Sequence, residues 1–147
     1  MKQKNLAALT LLFLCSLTAF AQNPDNSDPA KLRQEANEFY IKQDWQKSAE
    51  AYEKIVKADE NNIGMRYRLG VSLLNSGKTA EAQKHLENVF NASPNAVFAF
   101  ALARAYARSG NKEKTFEIIE QSTALGGIAP ETLMGEKDFA FFKSEQR

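Results

Sequence analysis

The chain has 147 residues, of which 44% are hydrophobic and 25% charged, and its formal net charge is +1. This size and composition predict one domain of ordinary make-up. A near-neutral chain has no overall electrostatic attraction for nucleic acid or for an anionic membrane surface, so we expect neither as a partner.

Segment 1–21 has the three-part layout of a secretory signal peptide. A short basic start precedes an apolar run of 15 residues, and Ala19-Phe20-Ala21 forms a small-x-small cleavage site. We predict cleavage after Ala21 and export of the chain, so that it is periplasmic or secreted and retains no membrane span. An uncleaved anchor is disfavoured because spanning a bilayer takes about 20 apolar residues. Lipid attachment at Cys15 is disfavoured because bulky residues precede it.

Removal of this leader changes the residues available for chemistry. Cys15 is the only cysteine and leaves with the leader, as do Lys2 and Lys4, so the formal net charge becomes −1. With no thiol and with His85 as its one histidine, the mature chain cannot form a disulfide, a cysteine nucleophile or a Cys/His metal site. We therefore expect no cofactor, no metal and no catalytic activity, and we interpret His85 as a partly exposed helix residue.

After a short linker, 22–28, the chain repeats itself, and repeats of this length predict stacked structural units. The second copy follows the first at an offset of 34 residues, and the third follows the second at 33. Small and apolar residues recur at fixed places in each copy. We bound the three units at 29–62, 63–95 and 96–127.

Apolar residues spaced by three and four predict two helices in each unit. Gly77 and Gly110 are expected to end the first helices of their units with a positive φ. Asp28-Pro29 and Ser93-Pro94 each place a capping side chain before a proline, which predicts the start of a helix. The other candidate N-caps are Asp44, Asn62, Thr79 and Asn111.

Gly70 lies inside the first helix of the second unit, where glycine costs about 0.5–1 kcal/mol relative to alanine. Alanine stands at the matching place in the other units, at Ala36 and Ala103. We predict that the two helices of a unit cross closely here, with Ser48 and Ala82 as the small residues on the second helix. Close approach offsets the glycine penalty by allowing dense interior packing.

The second unit resembles the tetratricopeptide repeat, a helix–turn–helix unit that stacks into a right-handed superhelix. The residues that carry the resemblance are Leu69, Gly70, Leu73, Gly77, Ala82, Leu86, Val89 and Pro94. Matching positions in the other units are Ala36, Ser48, Tyr52, Ala103, Tyr106, Gly110 and Ile119. The first unit departs at Gln43, where the family has glycine, and at Glu60, where proline is usual. The resemblance implies an all-α solenoid of three repeats.

The C-terminal segment 128–147 is expected to cap the third repeat, because a solenoid must cover its last apolar face. We expect a helical turn from Pro130, a break at Gly135 and a last helix from Asp138 that carries Phe139. This segment resembles an acidic-aromatic closing segment that follows such repeats in bacterial proteins. The alternative is that the aromatic tail binds a partner.

The resemblance also implies that the first helix of each unit lines a concave groove. Helical spacing selects the residues that point into it, which are Arg33, Asn37, Tyr40, Tyr67, Arg68, Val71, Asn75, Phe100, Arg104 and Arg108. With the adjacent Arg66, this set has five arginines and no acidic residue. Arginine beside aromatic rings is typical of interaction hot spots. We predict a groove that binds an extended, acidic segment of a protein partner.

Several alternatives stay open from the sequence. The arginines could instead be solvated, or pair with Glu35, Glu38 and the acidic tail. Arg33 and Asn37 resemble part of the clamp with which some chaperone-binding members of the family hold a terminal carboxylate, although the rest of that clamp is missing. The chain could also be a structural subunit that stacks through its terminal repeats, or a non-catalytic accessory or chaperone of an exported enzyme. The sequence leaves its oligomeric state open.

Overall fold

The structure, a computed structural model, describes residues 28–127 and 136–140. The first range holds six helices, α1 (Pro29–Ile41), α2 (Trp45–Ala58), α3 (Ile63–Asn75), α4 (Thr79–Ala92), α5 (Ala96–Arg108) and α6 (Lys112–Ala124). The second range, which we call the tail turn (136–140), contains a short 3-10 helix, Lys137–Phe139. All regular structure in these ranges is helical, so the predicted all-α solenoid is confirmed.

The predicted signal peptide lies wholly outside the described residues, and the predicted C-terminal segment lies partly outside them. The signal peptide and its cleavage site fall in 1–27. The turn expected at Pro130 and the break at Gly135 fall in 128–135. The last helix expected from Asp138 is described only as far as residue 140, where it is a 3-10 turn that begins one residue earlier, at Lys137.

The helices stack in chain order, and this stacking builds one continuous core. Each helix packs on the next one along the chain, α3 also contacts α5, and the tail turn packs on α5. All repeat-signature residues that lie within helices are buried. The largest fully buried side chains come from all three helix pairs and from the tail turn: Tyr52, Leu69, Leu74, Leu86, Ile119 and Phe139.

The two helices of the second unit cross closely at Gly70, as predicted. A Cβ atom added to Gly70 would lie 2.8 Å from both Cγ and Cδ2 of Leu86, which is closer than real side chains approach. The matching Ala36 and Ala103 are fully buried, and so is Ala82 on the second helix. Small side chains at the crossing therefore set the distance between the helix axes.

The three turns inside the repeats share one conformation. The second residue after each first helix, which follows the C-cap, has a positive φ, which is 89° at Gly77, 77° at Gly110 and 59° at Gln43. The next backbone N–H bonds back to the carbonyl five residues earlier, as from Lys78 to Leu73 at 2.9 Å. This is the Schellman pattern, in which glycine is favoured. Gln43 therefore adopts the glycine conformation although it carries a side chain.

Three of the predicted N-caps are confirmed. The side-chain oxygens of Asp28, Asn62 and Asn111 accept hydrogen bonds from backbone N–H groups in the first turns of α1, α3 and α6. Asp44 stands at the N-cap position of α2 but makes no capping bond. Its carboxylate pairs instead with Lys47, at 2.8 Å.

Two predicted N-caps are wrong. Ser93 ends α4, and α5 begins only at Ala96, where the side chain of Asn95 accepts from the N–H of Phe98 at 3.0 Å. Asn95 takes the role because it stands next to the first helical residue, whereas Pro94 separates Ser93 from the helix. Thr79 is the first residue within α4 and is not its N-cap.

Substitution of the crossing glycine tests the close approach. We expect Gly70→Ala to lower the free energy of unfolding by about 1–2 kcal/mol. Overpacking costs about 1–3 kcal/mol, and the higher helix propensity of alanine offsets up to about 1 kcal/mol of this cost. Gly64→Ala is the matched control in the same helix, because a Cβ there meets nothing closer than 3.7 Å. Urea unfolding of both variants measures the difference, and a more stable Gly70→Ala variant would contradict the explanation.

The strained turn of the first repeat provides a second test. We expect Gln43→Gly to raise the free energy of unfolding by up to about 1 kcal/mol. A non-glycine residue in the left-handed conformation costs about 1–2 kcal/mol, and the larger conformational entropy of glycine in the unfolded chain offsets part of the gain. The reverse substitution, Gly77→Gln, should lower stability by a similar amount. Thermal unfolding of both variants is the measurement, and a Gln43→Gly variant that melts earlier than the wild type counts against a strained turn.

Candidate functional site

Side chains of the three first helices meet on one surface, which we call the α1–α3–α5 face. The guanidinium carbon of Arg68 lies 5.0 Å from the ring centroid of Tyr40. Arg108 donates from Nη1 to the backbone carbonyl of Leu74 at 2.6 Å, which connects α5 to α3. We define the face by the residues that carry these contacts or lie beside them, which are Tyr40, Tyr67, Arg68, Phe100, Arg104 and Arg108.

Aromatic side chains surround Arg68 at the α1–α3 end of this face. The ring of Tyr40 stands edge-on to Trp45 at 5.4 Å and to Tyr52 at 6.1 Å. The hydroxyl of Tyr52 donates to Oδ1 of Asn37 at 2.6 Å. These contacts fix the ring on which Arg68 rests, so the guanidinium group is held in place by rings.

No acidic side chain in the described part of the chain neutralises the charge of Arg68. Within 28–127 and 136–140, the ion pairs of the structure do not include Arg68.

Burial raises the pKa of Tyr40, and the charges of Arg68 and Arg104 only partly oppose this shift. Burial and the neighbouring Tyr40 likewise raise the pKa of Tyr67. Both tyrosines are therefore neutral hydrogen-bond donors at physiological pH.

The α5 end of the face is occupied by the tail turn. Arg104 donates from Nε to Oδ2 of Asp138 at 2.7 Å, and Arg108 donates from Nε to Oδ1 at 2.8 Å. The Asp138 side chain is only 11% exposed. Its neighbour Phe139 is fully buried, with its ring centroid 5.9 Å from that of Phe100. One carboxylate thus pairs with two arginines that the sequence analysis assigned to the groove.

The two arginines control the ionisation of Asp138. Burial of the side chain acts to raise its pKa, but the hydrogen bonds and charges of Arg108 and Arg104 outweigh burial. The pKa of Asp138 consequently lies below its ordinary value, and the carboxylate is ionised at physiological pH.

The other residues that the sequence predicts for the groove lie in different environments and do not form one site. Arg33 is exposed and donates from Nε to the carbonyl of Pro29 in its own helix. Val71 is buried, with 8% exposure, and contributes to the core. Asn75 has only a 3.5 Å contact with Arg108. The pairing with an acidic tail, which the sequence left as an alternative, holds for Arg104 and Arg108, whereas Glu38 pairs with Lys42.

Arg66 lies away from the α1–α3–α5 face. It donates to the backbone carbonyl of Glu60 and lines a cleft with His85 and Glu53 from the second helices. The prediction that Arg66 belongs to the groove was therefore wrong. Arg66 precedes Arg68 by two residues, and residues two apart point to opposite sides of a helix.

His85 is a partly exposed residue of α4, as expected. Its Nδ1 atom is buried and has no hydrogen-bond partner among the described residues. Burial lowers the pKa of His85, and the positive charge of Arg66 lowers it further. In the described ranges, no group of three or more His, Cys, Asp or Glu side chains is placed to hold a metal ion. No helix described there has the length and apolar character that crossing a bilayer requires.

Trp45 and Tyr52 belong to the aromatic surroundings of Arg68, although the sequence pattern did not predict them there. Tyr52 was read only as a packing residue of the repeat, although its hydroxyl end reaches back to Asn37. The signal was present in the residue type, because a buried tyrosine needs a partner for its hydroxyl. Trp45, the single tryptophan, carried no periodic signal of its own.

The paired helices form an α-solenoid, and their first helices present a basic, aromatic face. Residues 65–96 match the family model of the tetratricopeptide repeat. This range covers most of the second unit, where the repeat pattern is most regular. No curated protein sequence matches the chain.

Solved structures share the fold. The structure named MamA MSR-1 is 21% identical, with a TM-score of 0.64, and the match covers 67% of this chain and 57% of that chain. MamA AMB-1 is 23% identical, with a TM-score of 0.65, over 80% of this chain and 64% of that chain. The matches therefore span less than two thirds of those proteins. At this identity, the likeness shows a common solenoid fold.

The carboxylate of Asp138 gives the tail contact a pH dependence. We expect Asp138→Asn to lower the free energy of unfolding at pH 7 by about 1–3 kcal/mol, because charge-assisted hydrogen bonds to two arginines are lost. Since the folded-state pKa is lowered, the stabilisation is complete above the unfolded-state pKa and is lost as the pH falls through the folded-state value. The difference between wild type and variant should therefore shrink as the pH falls below the unfolded-state pKa of about 3.9.

Urea unfolding at several pH values measures this difference. Glu35→Gln is a matched control, because Glu35 is an exposed residue of α1 without an ion pair in the described ranges. A stability difference for Asp138→Asn that stays constant as the pH falls from 7 to well below the unfolded-state pKa of about 3.9 would show that the carboxylate charge is not what stabilises the contact.

Proposed function

We propose that the chain is an exported protein-interaction module that binds an extended, acidic segment of another protein on its α1–α3–α5 face and catalyses no reaction. The tetratricopeptide repeat match and the MamA-like solenoid support the general class, an interaction module. The particular face, the acidic partner and the export are the parts that we add. Export rests on the signal-peptide pattern of 1–21.

The observation that carries the proposal is the setting of Arg68. Its guanidinium group lies over the Tyr40 ring and has no acidic partner in the described part of the chain. A guanidinium group held against an aromatic ring keeps its hydrogen-bonding edge for a ligand and loses little side-chain entropy on binding. A carboxylate is the ligand that this fork-shaped donor matches best.

The surroundings of Arg68 favour a peptide segment over an isolated anion. Tyr67 lies beside Arg68 on α3, and its ring is 4.9 Å from that of Phe98 on α5. Partly buried tyrosines add apolar contact area and neutral hydroxyl donors, which suit main-chain carbonyls and apolar side chains. A protein segment with an acidic residue amid apolar ones would satisfy both features.

Replacement of one arginine tests this site. We expect Arg68→Gln to reduce the recovery of bound partner from the exported fraction by about tenfold or more, which is the usual effect of removing an interface hot spot. Arg66→Gln is the matched control, since it removes the same charge from the same helix on the side away from the face. Quantitative mass spectrometry of proteins captured on the immobilised variants is the measurement.

Both variants must first show the circular dichroism and melting temperature of the wild type. Capture by the wild type should also weaken as the salt concentration rises, because partly exposed charges are screened. Equal losses for the two variants, or no loss for either, would remove Arg68 from the binding site and with it the proposed acidic ligand.

A further inference from the structure

We propose that Phe100, Arg104 and Arg108 form a docking site for an acidic residue followed directly by an aromatic one, and that Asp138-Phe139 of this chain is its resident occupant, which a partner segment of the same chemistry displaces. This inference rests on the proposed function and deepens it by naming the motif that the partner carries. The tail turn thereby regulates access to the α5 end of the face.

The three residues of the docking site form a stripe along one helix. Phe100, Arg104 and Arg108 are spaced by four, so they lie above one another on the same side of α5. Phe139 packs against Phe100, and the carboxylate of Asp138 lies between the two guanidinium groups. The stripe therefore presents an apolar end and a cationic end, and two consecutive residues of the tail cover both.

Part of the site is held in place independently of the tail. Arg108 donates from Nη1 to the carbonyl of Leu74 at 2.6 Å while its Nε faces Asp138. The guanidinium group is thus anchored to α3 from one edge and offers the other edge to a carboxylate. The guanidinium group of Arg108 is therefore preorganised, so the binding of a ligand in place of Asp138 costs less side-chain entropy at Arg108.

The resident segment has the composition of a binding hot spot. An ionised carboxylate on two arginines gives strong, directional hydrogen bonds, and a fully buried phenylalanine gives contact area. An acidic residue alone would leave Phe100 uncovered, and an aromatic residue alone would leave two guanidinium groups unpaired. Recognition therefore requires both residues, in consecutive positions.

Tethering sets a threshold for displacement. A segment attached to the same chain competes at an effective concentration on the order of millimolar, so an identical dipeptide in a partner would rarely displace it. A successful partner needs a further contact, and the un-neutralised Arg68 supplies one. Arg68 lies on α3 next to Tyr67, whose ring is 4.9 Å from that of Phe98 on α5, and Arg108 bonds to the carbonyl of Leu74 on α3, so one segment can reach both Arg68 and the docking site.

The test uses a blocked peptide with the sequence of the tail turn, EKDFA, and the full chain. In the variant Asp138→Ala/Phe139→Ala the site is empty, and we expect the added peptide to shift the NMR signals of the Arg104 and Arg108 Nε–H groups. The wild type should need at least about tenfold more peptide for the same shifts, because the resident segment competes. The peptides EKNFA and EKDAA should each bind the variant about tenfold more weakly or worse.

Loss of the buried phenylalanine could unfold the double variant, and Asp138→Asn then replaces it as the test protein. It keeps Phe139 and weakens only the charged contact, so EKDFA should still bind it more tightly than it binds the wild type. Arg66→Gln in either background is the control that leaves peptide binding unchanged.

The possible results separate this proposal from the proposed function. A folded variant that does not bind EKDFA, or that binds it no better than the wild type, shows that the tail turn is a permanent cap and overturns the docking site. Partner capture that is lost in Arg68→Gln would in that case leave the proposed function intact. Binding of EKDFA to the cleared site, together with its loss for EKNFA and EKDAA, supports the docking site whatever the outcome at Arg68.

Discussion

The close crossing of the two helices within each repeat is the constraint on which the rest of the structure depends. At Gly70 the backbone of α3 approaches Leu86 so closely that even a methyl group would clash, and buried alanines mark the same place in the neighbouring repeats. Interior atoms pack as densely as in organic crystals, so the distance between paired helices is fixed by the smallest side chains at their contact. Because a small residue recurs at each crossing, each helix pair packs closely and the next pair packs on it. The first helices then lie side by side, and Arg68 of α3 reaches Tyr40 of α1.

The stack brings together arginines that have the same chemistry but different environments. Arg104 and Arg108 share the carboxylate of Asp138, which is nearly buried, whereas Arg68 lies over an aromatic ring and forms no ion pair with any residue that the structure describes. The difference arises because the tail turn packs on α5, the last of the three first helices. A carboxylate there is desolvated but doubly paired, which makes the contact strong and specific. The same contact offsets the positive charge of Arg104 and Arg108 at the α5 end of the face.

Regular repeats also impose conformations on residues that do not favour them. Gln43 stands where the other two repeats have glycine, yet its turn makes the same pair of backbone hydrogen bonds and has a positive φ. The packing of α1 against α2 fixes the path of the chain, and the local preference of one residue is too weak to change it. Helix starts behave differently. Asn95 and Lys78, rather than Ser93 and Thr79, occupy the N-cap positions, because a shift of one or two residues at a helix end costs little.

The sequence by itself determined the three units, their helices, the turns at Gly77 and Gly110, and the small residues at the crossings. These features repeat at 33 or 34 residues, and periodicity reports which side of each helix is buried. The sequence also assigned Arg68 and Tyr40 to one face, and their side chains are in contact. Only the tertiary structure decided which arginines pair with Asp138. Asp138 lies 30 and 34 residues from its two partners, so its pairing depends on where the chain after α6 returns to the solenoid. An ion pair forms by distance in space, and the repeat pattern contains no information about the path of a segment that lies outside the repeats.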